Sequence, residues 1–229
     1  MNTRIVRRTG TVSAAFLIAA CATSIESGPA LDNPVAIANR LQSGTGSPEA
    51  PALIRFAWRY GDLRGDVEGD GVGRFNPPDS LRLDLFTSGD VAMAIASAGG
   101  RLTSRGQIED IDVPPRPFVF AMAGLFRPEP GAVPRAFVAG GDSVLVYGPF
   151  GDRTQVFYVM QGRIEALEER RRDKVVRRVR VEWPVDGAWP LSAEYRDFER
   201  PSRVRWEIEK VQSPVDRHQS EIYALPYSP

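Results

Sequence analysis

From Ala52 onward, apolar and polar residues alternate with a period of two, as in strands that set one face on a core and the other in water. Leu81-Arg82-Leu83-Asp84-Leu85 is one such segment. After a turn at Thr87-Ser88-Gly89-Asp90, the residues Val91, Met93 and Ile95 continue its apolar face. In Arg203 to Val211, Val204, Trp206 and Ile208 point one way while Arg205, Glu207 and Glu209 point the other. Ile164 to Trp183 reads as a long hairpin. Its charged bend, Glu168 to Lys174, leads into Val179, Val181 and Trp183 alternating with Arg178, Arg180 and Glu182. One segment breaks the period. After Pro114-Pro115-Arg116-Pro117, the residues Phe118, Val119, Met122, Leu125 and Phe126 recur at three- and four-residue spacing, and Pro128 ends the run. With no charge between Phe118 and Phe126, this helix needs cover on nearly every side or an apolar neighbour. The pattern predicts a mostly β (α+β) chain: a large antiparallel sheet that meanders through hairpins, with one short apolar helix lying across it.

The segment Leu63 to Phe75 departs from that plan. Its even positions, Arg64, Asp66, Glu68, Asp70 and Arg74 among them, are charged and face water. Its odd positions face inward but carry Gly65, Gly69, Gly71 and Gly73 where a core would place branched side chains. Glycine inside a strand packs nothing, and marks sharp curvature, a bulge or a close approach of another group. Either the sheet coils strongly here, or a ring such as Trp58 or Trp206 fills the gap, or the concave side holds a cavity. An apolar cavity without internal charge would suit an acyl chain better than a polar metabolite.

Composition narrows the chemistry. Apolar residues make up 42% of the chain, enough for a core, and a net charge of zero with a pI of about 6.6 gives no electrostatic case for nucleic acid. The run Glu168 to Lys174 has mixed signs and reads as a solvated hairpin tip. A single cysteine, Cys21, excludes an intrachain disulfide, and with one histidine, His218, no zinc or iron–sulfur ligand set can be assembled. Asp66-Val67-Glu68-Gly69-Asp70-Gly71 matches the opening of a calcium loop, but the position of its closing glutamate is Pro77. Gly69, Gly71 and Gly73 lack the strand-to-helix context of a dinucleotide loop. A Ser-His-Asp site would need His218, which sits in the polar stretch Pro214 to Gln219, and no Gly-x-Ser-x-Gly elbow is present. The expectation is a protein that is not an enzyme and uses no cofactor and no metal.

The N-terminus carries an address. Arg4, Arg7 and Arg8 precede an apolar stretch from Val12 to Ala20, which is too short for the roughly 20 apolar residues a bilayer span requires. It ends in Ile18-Ala19-Ala20-Cys21, which resembles the lipobox of bacterial lipoproteins. That resemblance implies cleavage after residue 20 and lipidation of Cys21, with palmitate among the acyl groups of such an anchor. Ala22 stands where an inner-membrane retention aspartate would be, so outer-membrane delivery is expected, with the domain facing the periplasm. Residues 1–20 are read as the signal peptide. Residues 21–51, rich in Ser, Gly, Pro and Thr, are read as a flexible tether with a short helix over Pro34 to Leu41, and residues 52–229 as the folded domain.

Lipobox, tether, a glycine-thinned strand running into Pro77-Pro78-Asp79-Ser80-Leu81, a mid-chain apolar helix and the strand Arg203 to Val211 together resemble the LolA/LolB-type lipoprotein carriers, the LolB side in particular. The resemblance covers about residues 52–211. It implies an incomplete barrel with a short helix plugging the concave face, and a hydrophobic cavity binding the acyl chains of lipoproteins or lipids, handed over by a periplasmic carrier protein, without cofactor or catalysis. The ligand-facing residues expected here are Phe75, Leu83, Leu85, Met93, Ile95, Phe118, Met122, Leu125, Val204 and Trp206. LolB-type proteins also present an exposed apolar residue in a loop between two central strands. The matching turn here, Thr87 to Asp90, offers none, Phe86 being the nearest. The alternative expectation is a structural or protein-interaction lipoprotein using the same half-barrel with a filled core and no ligand.

Overall fold

The structure, a computed structural model, describes residues 29–44, 50–88, 90–106, 111–139 and 142–225; the leader and Cys21 lie outside them. Twelve strands form one antiparallel sheet: β1 (Ala52–Asp62), β2 (Gly65–Asn76), β3 (Ser80–Thr87), β4 (Asp90–Ala98), β5 (Arg101–Gly106), β6 (Pro134–Ala139), β7 (Asp142–Phe150), β8 (Arg153–Met160), β9 (Arg163–Arg171), β10 (Lys174–Glu182), β11 (Ser192–Asp197) and β12 (Ser202–Gln212). Their order, β5-β4-β3-β2-β1-β12-β11-β10-β9-β8-β7-β6, is two meanders joined by the pairing of β1 with β12. β5 and β6 are the two ends of this order and do not pair with each other, so the barrel is incomplete. Among the described residues, two α-helices accompany the sheet, α1 (Pro34–Gly44) and α2 (Arg116–Met122), with a short 3-10 turn at Ser220–Tyr223.

Period-two burial follows the sequence pattern closely along β12, where Val204 and Trp206 are buried and Arg203, Arg205 and Glu207 exposed. The expected hairpin is β9 and β10, but its turn is tighter than the charge run suggests. Only Arg172 and Asp173 form it, both with positive φ, as a two-residue primed turn requires. Glu168 and Glu169 belong to the strand and are buried, Glu168 taking Arg170 and Arg178, Glu169 taking Arg153 and Arg177. The apolar face of β3 and β4 is Leu85 opposite Met93 and Leu83 opposite Ile95. Val91 falls off that face because a bulge after Leu85 shifts the register, leaving it 46% exposed.

Helix α2 lies on the concave face with all seven residues buried. It starts at Arg116-Pro117, where proline's fixed φ and missing N–H suit the first turn. It ends sooner than the apolar spacing implied. Gly124, at φ +75°, takes the left-handed position of a Schellman cap, with its own N–H bonded to Ala121 O at 2.9 Å and that of Leu125 to Phe120 O at 2.9 Å. Leu125 and Phe126 therefore lie beyond the helix. α2 packs against β9, β10 and β11, with Phe118 edge-on to Tyr195 at 5.4 Å. Phe126 completes this side in a cluster with Tyr147 and Phe157.

The helix expected over Pro34 to Leu41 is α1, and it is packed: Ala38 and Leu41 are buried in the main core, and the helix touches β6. Just before it, Leu31 N–H bonds to Ala136 O and Val138 N–H to Pro29 O, so residues 29–31 cover the outer edge of β6. At the other end of the chain, residues 214–225 fold back beside β3 and β4. Arg82 donates to Ile222 O at 2.8 Å, and Asn76 exchanges hydrogen bonds with the backbone of His218.

Candidate functional site

The concave face holds every residue expected to meet a ligand. Phe75, Leu83, Leu85, Met93, Ile95, Phe118, Met122, Leu125, Val204 and Trp206 are all buried members of one hydrophobic core, together with α2. They divide by surroundings. Phe118, Met122 and Leu83 are wholly enclosed, and Phe75 and Leu125 flank a small recess beside Trp189. Leu85, Met93, Ile95, Val204 and Trp206 line a seam between α2 and the half of the sheet built from β1, β3, β4 and β12.

The seam exists because α2 leans on β9 to β11 and leaves its other flank, at Val119, facing Trp58, Tyr60 and the residues just named. Ile111, Val113 and Pro114, the approach to α2, close it from above the helix start. The polar tips in the wall already have partners. Trp58 Nε1 donates to Asp70 O at 2.9 Å and the Tyr60 hydroxyl reaches Asp62 at 3.2 Å. The free volume of the seam is about 20 Å³, room for little more than one water-sized group.

The glycines of β2 explain why the face is closed. Phe56, Ile54 and Trp58 on β1 stand directly opposite Gly71, Gly73 and Gly69. A Cβ on Gly71 would overlap the Phe56 ring, and one on Gly73 would sit 2.7 Å from Ile54 Cγ1. Gly69 is pressed from the other side, where the carbonyl of Phe86 occupies the place of a Cβ. Of the readings open to that strand, close neighbours filling it are what the structure contains: the Phe56 ring at Gly71, Ile54 at Gly73 and the Phe86 carbonyl at Gly69, with no open cavity at these three positions.

Outside the seam lies a surface depression of about 270 Å³ with Asp62, Arg64, Asp66 and Val67 on its rim. Tyr60 and Ile111 belong to both spaces and form the partition between them. Hydrogen bonds from Arg64 hold the Asp62 carboxyl down to about 2. A larger depression of about 670 Å³ crosses β2, β1, β12 and β11 on the opposite face, over Ala57 and among charged residues of both signs such as Arg59, Glu68, Arg205 and Glu207. His218, the residue a triad would have needed, bonds through Nε2 to the carbonyl of Ala52 at 3.2 Å and does structural work at the start of β1. Among the described residues no group of three or more His, Cys, Asp or Glu is placed to hold a metal, and no helix is long and apolar enough to cross a membrane.

In the turn Thr87 to Asp90, which the sequence shows without a protruding apolar residue, Gly89 lies outside the described residues, and the neighbouring Phe86 is half-buried. Among the described residues, apolar side chains exposed at hairpin tips include Leu63, 88% exposed between β1 and β2, and Phe198, 48% exposed between β11 and β12. In the sequence, Leu63 stands at an inward odd position at the start of the glycine strand, so the pattern gives no sign of its exposure.

An open antiparallel sheet of this order with a helix seated in its concavity is a distinctive arrangement. A LolA superfamily protein from Nitrosomonas europaea superposes with a TM-score of 0.54 at 10% identity, over 84% of this chain and 97% of that one. The chain has the LolA-type fold. A DUF1329 family protein from Desulfovibrio piger is similar too, with a TM-score of 0.57 at 9% identity, over 83% of this chain and 98% of that one. No protein-family model and no curated protein matches the sequence, so the likeness to LolA-type proteins lives in the backbone and not in shared residues.

Proposed function

We propose that this LolA-type chain is an envelope lipoprotein, anchored through Cys21 to the periplasmic side of the outer membrane, that takes acyl chains of lipids or lipoproteins into the seam beside α2. The observation that carries this reading is the one-sided seating of the plug. α2 is committed to β9–β11, while its Val119 flank meets a wall of apolar side chains from β1, β3, β4 and β12. Separating those two surfaces exposes apolar area on both. An acyl chain between them would recover about 25 cal/mol per Å² buried. The present 20 Å³ seam is then the closed, unloaded arrangement. The fold supports the reading, since the Nitrosomonas protein that shares it belongs to the LolA superfamily.

A second reading has its own observation. A concave face in which Phe56, Phe118, Phe120 and Phe126 are all fully buried is also what a half-barrel serving only as an interaction platform would show.

Displacement of a fluorescent fatty acid from the chain lacking residues 1–21 separates the two. Saturable displacement is expected for the carrier, and none for the platform. The anchor is tested separately. Metabolic labelling with palmitate should mark the wild-type chain and leave Cys21→Ser unlabelled, with the variant lost from the membrane fraction.

A further inference from the structure

A further cavity, sharing no residue with the seam, lies between α1 and the segment that follows α2. It measures about 310 Å³ and has two arginines in its wall, Arg116 and Arg127. Their side chains are only 8% and 6% exposed. Arg127 is well supplied: it donates to the carbonyls of Pro78, Gln42 and Phe126, and its Nε lies 3.0 Å from Asp79. Arg116 is not. Its Nε is buried without a hydrogen-bond partner, its Nη1 reaches Pro128 O at 3.3 Å, and its nearest carboxylate oxygen, again of Asp79, is 3.6 Å away. The remaining support is the Phe120 ring, 4.9 Å beneath the guanidinium.

Two buried cations thus share one carboxylate, and that carboxylate is 44% exposed. Burial and the neighbouring Arg116 charge push Arg127 below its ordinary value, with Asp79 acting against them. A buried cation short of partners costs free energy that a suitable anion would return. Glu129 also lines the cavity, but among the described residues no ion pair joins it to either arginine.

We propose that this cavity is a phosphate-binding site in which Arg116 is the principal ligand and Asp79 the group displaced from it. Guanidinium groups pair with phosphate oxygens, and with Asp79 displaced the two arginines present two positive charges against the one other carboxylate in the wall, Glu129. The ligand is either the headgroup of a phospholipid or free phosphate. The inference stands apart from the acyl-chain reading, because a headgroup without acyl chains suffices to test it.

The test is calorimetric titration of the full chain in non-ionic detergent with inorganic phosphate and, separately, with glycerophosphoglycerol. Saturable binding of either is expected, with Arg116→Met weakening it by about tenfold or more. Tighter binding of glycerophosphoglycerol assigns the site to a headgroup, and tighter binding of inorganic phosphate to the free ion. Glu129→Gln, which removes a competing charge without touching a buried bond, is expected to tighten binding about threefold. It keeps the proposal open to refutation even if Arg116→Met does not fold. Absence of binding by both probes, or affinities unmoved by Glu129→Gln and by a folded Arg116→Met, would overturn the proposal.

Discussion

The far end of the Phe56 ring reaches over Gly71, its cross-strand partner on β2, so closely that it occupies the space a Cβ would need. The same ring sits 5.0 Å from that of Trp206 on the other neighbouring strand. One aromatic side chain therefore serves three strands, and the missing side chain at Gly71 is what gives it room. Substituting Gly71→Val forces the ring out of place, an overpacking expected to cost about 1–3 kcal/mol. Phe56→Ala empties the position, at about 3–5 kcal/mol. Because both act on one space, Gly71→Val combined with Phe56→Ala should cost less than the two singles added. Urea denaturation of the three variants checks this; strict additivity would mean that ring and glycine do not share the space.

Gly124 shows where the sequence pattern stopped being readable. Apolar residues at three- and four-residue spacing continue through Leu125 and Phe126, so periodicity alone carries the helix to the proline at 128. The local signal that overrides it is one glycine in the left-handed region, with Trp183 Cζ2 and Pro190 Cγ each 2.9 Å from where its Cβ would be. Gly124→Ala is expected to cost about 1–2 kcal/mol from backbone strain alone, and more once Trp183 is displaced. A fall in thermal midpoint with unchanged far-UV circular dichroism is the result to look for.

Other parts were legible for a plain reason. Strands whose two faces differ in solvent, such as β12 and β3, state their alternation in the sequence. The glycine strand stated only that something lay against it, because a glycine records an absence and not the neighbour that fills it. The Arg116 and Arg127 cavity was not legible at all. Those two residues meet only once α2 has turned the chain back and α1 has closed over them, and no spacing in the sequence encodes that encounter.

Asp197 gives the chain an acid limit. Burial opposes its ionisation, but Arg177 at 2.9 Å and the backbone N–H groups of Glu199 and Arg200 outweigh it, so its carboxyl ionises below the ordinary range. A carboxylate that ionises more readily folded than unfolded contributes stability above its unfolded value, about 3.9, and loses it as pH falls through the lower folded value. Unfolding free energy from urea titrations should therefore be steady from neutral pH to about 5, then drop below about 4. Asp197→Asn should be less stable at pH 7 and should show a shallower acid fall. An acid profile identical to wild type would remove Asp197 from this role.

Ile111 separates the surface depression near Asp62 from the apolar seam beside α2, and if the proposed acyl-chain binding holds, that is where a chain entering from the depression would pass. It is half-buried, which leaves its outer side free to take a larger ring without disturbing the sheet. Ile111→Trp is expected to leave the thermal midpoint close to wild type while weakening a fluorescent fatty-acid probe by about tenfold, or 1.4 kcal/mol. Ile111→Ala should shorten the barrier, so that the probe associates faster and its affinity changes less. Stopped-flow fluorescence resolves the two effects. Should Ile111→Trp bind the probe as tightly and as fast as wild type, entry past Tyr60 and Ile111 is wrong, and the chain must reach the seam by lifting α2 away from β12 instead.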